Sequence, residues 1–185
     1  MTAQISSDHP IRELFHCLVQ RTFQRDLGLA EPALTGYVAD VLVDFTHQDR
    51  IFRIRDGRGR RLEEVAEMLM EGDVALNATS FDREREVHKH IGDFALYWTG
   101  VYPEMLRHLR AATRQDHLLD YVAQGRRSYQ IASTFELGRY AHEAPVLRRL
   151  STEFENCMHG LNLVRRELDA CSGPEMQTVR RLLEA

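Results

Sequence analysis

The chain has 185 residues, of which 43% are apolar and 28% charged, and its net charge is −4 at neutral pH. That length supports one domain with a sizeable buried core. The slightly acidic balance gives no general footing for nucleic acid or for an anionic membrane surface.

Helix signals dominate from the start. Ser7 or Asp8 caps a first helix with Pro10 in its first turn, and Ile11, Leu14, Phe15, Leu18 and Thr22 mark one face. Gly28 supplies the stop. Pro32 opens a second helix whose apolar positions Leu34, Tyr37, Val38, Val41, Leu42 and Phe45 keep helical spacing. Residues 49–61, DRIFRIRDGRGRR, break the pattern. They alternate apolar and basic residues briefly, turn at Asp56-Gly57, and read as a mobile arginine-rich loop in preference to a short extended ribbon.

Helix resumes over 62–76, with Leu62, Val65, Ala66 and Leu69 inward and Gly72 as a possible early end. Ser80 caps the next helix, which runs to about Gly100. A shorter helix follows from Pro103 to Leu109. Asp116 caps another long one over 118–140. Pro145 opens a helix through Met158, and Gly160 separates it from a helix over 161–170. Residues 174–185 form a short amphipathic C-terminal helix with Met176, Val179, Leu182 and Leu183 on one side. The expected architecture is all-α: a single domain over 1–185, a helical bundle of seven to nine helices with long central ones.

Cys17, Cys157 and Cys171 include no C-x-x-C pair, the N-terminal MTAQISSDHP has no signal-peptide pattern, and the apolar run 91–102 is too short to span a bilayer. A soluble, cytoplasmic protein is the expectation. The basic residues are almost all arginine, and Lys89 is the only lysine in the chain. Coding bias is the first explanation for that.

The most informative stretch is Glu86–Pro103, EVHKHIGDFALYWTGVYP, where Asp93 sits in the most apolar helical run. A buried carboxylate costs several kcal/mol unless something pairs with it. Glu86, His90, Asp93 and Tyr97 recur at i, i+4, i+7 and i+11 and fall on one helical face, with His90 the nearest partner for Asp93. Tyr121, Ser128, Tyr129 and Tyr140 on the later long helix are further candidate partners. One reading makes Asp93 a structural anchor. The other makes Glu86, His90 and Asp93 ligands of iron, manganese or zinc, with Tyr97, Tyr121 and Tyr129 lining a pocket for a cofactor or small ligand. No cofactor is the first expectation. Small residues beside this stripe (Gly92, Ala95, Thr99) and on the later helix (Gly125, Ser128, Ala132) read as close helix packing.

Arg53, Arg55, Arg58, Arg60 and Arg61, with Arg50, form a cluster suited to a phosphate, an acidic partner or RNA. The alternative is a solvated connection paired with Glu63, Glu64 or Glu67. The run His90-x-Gly92-Asp93-Phe94-x-Leu96-Tyr97-x-x-Gly100-x-Tyr102-Pro103-Glu104, followed by Tyr121-x-x-x-Gly125-x-x-x-Tyr129, resembles bacterial hypothetical proteins of unassigned function. The resemblance covers the central third of the chain and implies no activity, ligand or fold. The functional expectation is therefore a non-enzymatic role in association with a protein partner or with a second copy as a homodimer, or in scaffolding, with no membrane and with nucleic acid disfavoured as a partner. Its competitors are a metal- or ligand-binding bundle and polyanion binding through 50–61.

Overall fold

The computed structural model describes residues 10–104 and 120–170, and these hold eight α-helices and no strand. They are α1 (Pro10–Leu27), α2 (Pro32–Asp44), α3 (Gln48–Ile51), α4 (Val65–Glu71), α5 (Phe81–Gly100), α6 (Tyr121–Ser133), α7 (Ala144–Thr152) and α8 (Phe154–Ala170). The all-α bundle expected from periodicity is the observed fold. No described helix is long and apolar enough to cross a membrane. The expected caps at Ser7, Asp8 and Asp116, most of the 103–109 helix, Cys171 and the 174–185 helix lie outside the described residues.

The bundle is organised around α5. From Val87 to Gly100 only Lys89 and Trp98 are not fully buried, as an apolar run on nearly every side requires of a central helix. The Ser80 hydroxyl caps its start by accepting from the Arg83 amide at 3.2 Å. Helix α5 packs most extensively on α6 and also on α8 and α4, α1 packs on α2 and α8, and α7 lies on α6. Phe15, Val19 and Phe23 of α1 and Leu34, Val38 and Leu42 of α2 enter the same core as Ile91, Phe94, Leu96 and Tyr97 of α5.

Three boundaries differ from the sequence expectation. The 62–76 helix is only Val65–Glu71, ended at Gly72, where a β-carbon would lie 2.9 Å from the Val87 side chain. The 118–140 helix starts at Tyr121, capped by Asp120, and stops at Ser133; Gly138, at φ +61°, begins a separate 3₁₀ turn. The break expected at Gly160 falls at Glu153 instead, and Gly160 lies inside α8 with the Phe23 ring pressed on its backbone. That glycine makes room for a neighbour and ends nothing.

Residues 49–61 also differ from the mobile loop expected of them. Helix α3 occupies their start, and an antiparallel bridge joins Arg55 to Arg61, flanked by bonds from the Asp56 amide to the Arg60 carbonyl and from the Leu62 amide to the Ile54 carbonyl, both 2.9 Å. The Asp56 carboxylate accepts from the Arg58 and Arg60 amides, Gly59 takes φ +81°, and Ile54 and Leu62 are buried. Two apolar anchors and an aspartate-closed turn hold a ribbon that its arginines alone would leave loose.

Because Phe23 is fully buried, its ring has little freedom to retreat from a new methyl group. Gly160→Ala is expected to destabilise the fold by about 1–3 kcal/mol, outweighing the gain of about 1 kcal/mol in helix propensity. A urea midpoint equal to or above that of the unaltered protein would show instead that the ring has room to move.

Candidate functional site

Asp93 is 5% exposed on the most buried stretch of α5. Its Oδ1 accepts from two phenols, Tyr37 of α2 at 2.7 Å and Tyr129 of α6 at 2.9 Å. Lys89, one turn earlier, holds its ammonium 3.6 Å from Oδ2. Burial first, then the Asp93 charge, pushes both phenols well above their ordinary value, so they stay protonated and remain donors. Hydrogen bonds to a charged acceptor contribute about 1.5–3 kcal/mol each, enough to offset much of the desolvation of one carboxylate.

The local reason that Tyr129 reaches Asp93 is Gly92. A β-carbon there would fall 2.5 Å from the Tyr129 ring, so only glycine lets the ring lie flat along α5. Gly125 plays the reciprocal part on α6, facing the Ala95 methyl and the Phe154 ring. The small-residue stripes therefore serve packing, and the packing delivers a phenol to the carboxylate.

On the Oδ2 side of Asp93 lies a cavity of about 290 Å³ between α2, the α3 segment and α5. Tyr37, Val41 and Phe45 supply its ring and apolar walls; Arg12, Arg50, Arg53 and Lys89 face four carboxylates, Asp40, Asp44, Asp93 and Glu143. Several of these charges are already satisfied. Arg12 and His16 bond Asp40 at 2.6 and 2.9 Å, and Arg85 pairs with Glu143. Among the described residues the Arg50 and Arg53 side chains make neither a hydrogen bond nor an ion pair, and Arg53 Nε and His47 Nε2 are buried without a partner. Lys89 stays 3.4 Å from Glu143 and 3.6 Å from Asp93, beyond close hydrogen-bond range, with the Tyr37 ring centre at 5.1 Å.

His90 positions this wall without joining it. It is fully buried, and its Nε2 lies 3.0 Å from the Ile51 carbonyl. A carbonyl only accepts, so Nε2 carries the proton, and Nδ1 is the bare nitrogen, without a partner among the described residues. The bond ties the last residue of α3 to α5 and so sets where Arg50 and Arg53 emerge. Burial chiefly, then the Arg53 charge, holds the imidazole well below its ordinary value.

The expected pairing of His90 with Asp93 is thus corrected. The two are about 60° apart around the helix, and each has partners on different neighbours. Glu86 falls on the exposed N-terminal part of α5 beside Arg83 at 3.3 Å. Glu86, His90 and Asp93 do not converge, and among the described residues no three His, Cys, Asp or Glu side chains group as a metal site. Tyr97 is buried in a ring cluster with Phe45, Trp98 and Tyr102, and Tyr121 stacks near Phe94, so neither lines the cavity. Of the expected tyrosines only Tyr129 touches the site, from behind Asp93.

The arginine cluster divides. Arg60 pairs with Asp56 and Glu67, Arg61 with Asp49, and Arg55 donates to the Gly59 carbonyl. Arg58 is exposed. Arg53 alone of the five candidates, joined by Arg50, faces the cavity. Sequence reasoning counted Tyr37 only as an apolar position of α2; its polar tip beside Asp40 and Asp44 was the usable signal. Glu143 had no signal at all.

Comparison with protein-family models, with curated proteins and with solved structures finds no match to this chain.

Removing one donor from Asp93 tests the anchor. Tyr129→Phe is expected to lower stability by about 1.5–3 kcal/mol in urea unfolding, and its effect combined with Tyr37→Phe should depart from additivity because both phenols bond one oxygen. Unchanged midpoints in both variants would remove Asp93 as an anchor.

Two buried histidines set a pH dependence. His88, chiefly through burial, is pushed down to about 4, and His90 is also lowered. Unfolded histidine takes a proton near pH 6.5 while the folded ones do not, so their stabilisation is complete above 6.5 and is lost as pH falls. The slope is at most about 1.4 kcal/mol per pH unit for each histidine. Urea midpoints at pH 7 and pH 5 should differ in that sense, and His88→Gln should flatten the difference; a flat profile for the unaltered protein would contradict it.

Proposed function

We propose that the protein is a small-ligand-binding helical bundle whose cavity between α2, α3 and α5 takes a small anion of the carboxylate or phosphate class. One observation carries this reading: two guanidinium groups, Arg50 and Arg53, lie on one cavity with no protein acceptor among the described residues, while three of its four carboxylates, Asp40, Asp93 and Glu143, already have partners and the fourth, Asp44, is exposed. Guanidinium groups match carboxylate and phosphate in fork geometry, and the bond strengthens where water is scarce. The cavity volume, about 290 Å³, suits a metabolite-sized molecule. Val41 and Phe45 would hold its carbon portion. The metal-binding alternative has less support, since Glu86, His90 and Asp93 face different neighbours.

A second reading, self-association, is favoured by a different observation. Met70, Val74, Leu76 and Phe81 are 44–68% exposed around the α4–α5 connection, more apolar surface than one short segment ordinarily leaves in water. Sedimentation velocity on the full chain reads this directly: a dimer that dissociates in Phe81→Ser supports it, and a monomer at high micromolar concentration removes it.

The ligand reading is tested by titrating inorganic phosphate and succinate at low ionic strength, followed by calorimetry. Arg53→Gln and Arg50→Gln are each expected to weaken binding about 10-fold or more, and Arg58→Gln to leave it unchanged. Absence of binding by both anions, or equal affinity in all three variants, would sink the proposal.

A further inference from the structure

We propose that Lys89 is an amine nucleophile that captures a small carbonyl compound carrying an anionic group, an aldehyde acid or a 2-oxo acid, as a Schiff base inside this cavity. The inference rests on the anion-binding reading for the tail of that compound, and adds the chemistry at its other end.

Sequence and geometry converge on this residue. Every other basic Lys or Arg position in the chain is arginine, and the single exception lies on the cavity wall beside the buried carboxylate. A guanidinium keeps its proton in proteins and forms no imine under these conditions, whereas a lysine ammonium that passes on one proton becomes an amine nucleophile and then the imine nitrogen.

The surroundings fit the steps the reaction needs. The side chain is 21% exposed and lines the cavity. Its ammonium has carboxylate oxygens at 3.4 Å (Glu143 Oε1) and 3.6 Å (Asp93 Oδ2), neither in a close hydrogen bond with it. Asp93 Oδ1 is taken by two phenols, which leaves Oδ2 to accept a proton. The Glu143 side chain is 35% exposed and reaches solvent. Arg50 and Arg53, on the same cavity, would hold the anionic end and aim the carbonyl carbon at Nζ.

The step balances without an oxidant or reductant. The ammonium gives one proton to Glu143, and the Nζ lone pair attacks the carbonyl carbon as the carbon–oxygen π electrons move to oxygen. Two of the three original ammonium protons end on that oxygen by way of the carboxylates. It leaves as water, and the third stays on the protonated imine nitrogen. Hydrolysis reverses each bond change.

The test uses the full chain with glyoxylate, an anionic aldehyde, and with propionaldehyde, a neutral one, each trapped by cyanoborohydride and mapped by peptide mass spectrometry. With one lysine present, the α-amine at the start of the chain is the internal reference. The expected result is glyoxylate trapping at Lys89 about 10-fold or more faster than on free Nα-acetyl-lysine. Glu143→Gln should slow it, and phosphate should compete with it. Arg53→Gln should bring glyoxylate trapping down towards its rate on Nα-acetyl-lysine and change propionaldehyde trapping much less. Lys89→Arg should give no adduct there yet keep its circular dichroism, which shows that the fold survives without the amine. Trapping of both aldehydes no faster than on the free amino acid would overturn the proposal even if phosphate binds. Fast trapping of both aldehydes alike, untouched by phosphate or Arg53→Gln, would overturn the anionic-ligand class and leave the amine chemistry standing.

Discussion

The Asp93 carboxylate is the constraint around which the described helices are arranged. It sits on the central helix at a depth where an unpartnered charge would destabilise the fold by several kcal/mol. Tyr37 reaches it from α2 and Tyr129 from α6, and Lys89 faces its second oxygen from the preceding turn. Two helices that do not adjoin in sequence are thereby referred to one oxygen atom. The Tyr37 and Tyr129 rings meet edge to face, with centres 6.3 Å apart, so the apolar parts of the same residues pack together as their hydroxyls converge.

Glycine and aromatic residues make that convergence sterically possible. Gly92 admits the Tyr129 ring to the surface of α5, Gly125 admits the Phe154 ring and the Ala95 methyl to α6, and Gly160 admits Phe23 to α8. Each glycine sacrifices about 0.5–1 kcal/mol of helix preference and receives a large ring in return, whose burial contributes about 1.5–3 kcal/mol. The polar anchor and the close-packed core are therefore the same structural device seen from two sides.

The cavity is a consequence of how α3 and its ribbon are fastened. Ile51, Ile54 and Leu62 point into the core, and His90 bonds the Ile51 carbonyl. Arg50 and Arg53, either side of Ile51 and Phe52, are left on the cavity wall with Lys89 and Asp93. Of the remaining arginines, Arg60 and Arg61 pair with Asp56, Glu67 and Asp49, Arg55 donates to the Gly59 carbonyl, and Arg58 is exposed. Part of the cluster thus stabilises the ribbon, and part is left with donors and no acceptor among the described residues.

The all-α class, the central position of α5, the burial of Asp93 and the close packing at Gly92 and Gly125 were determined by the sequence alone. All of these depend on periodicity and local chemistry within one helix, and apolar residues on every side of a helix leave one placement for it. The partner of Asp93 was not legible in the same way. His90 is close in sequence and shares a broad face, but 60° of rotation separates it from Asp93 and turns it to the Ile51 carbonyl. Tyr37, 56 residues away, and Glu143, 50 residues beyond Asp93, meet the site only because α2 and the start of α7 close over α5. Which arginines of 50–61 face inward was likewise decided by tertiary structure, since the apolar anchors between them take up the core side. Gly160 shows the same limit: a glycine that ends a helix and one that receives a ring look identical until the neighbouring helix is in place.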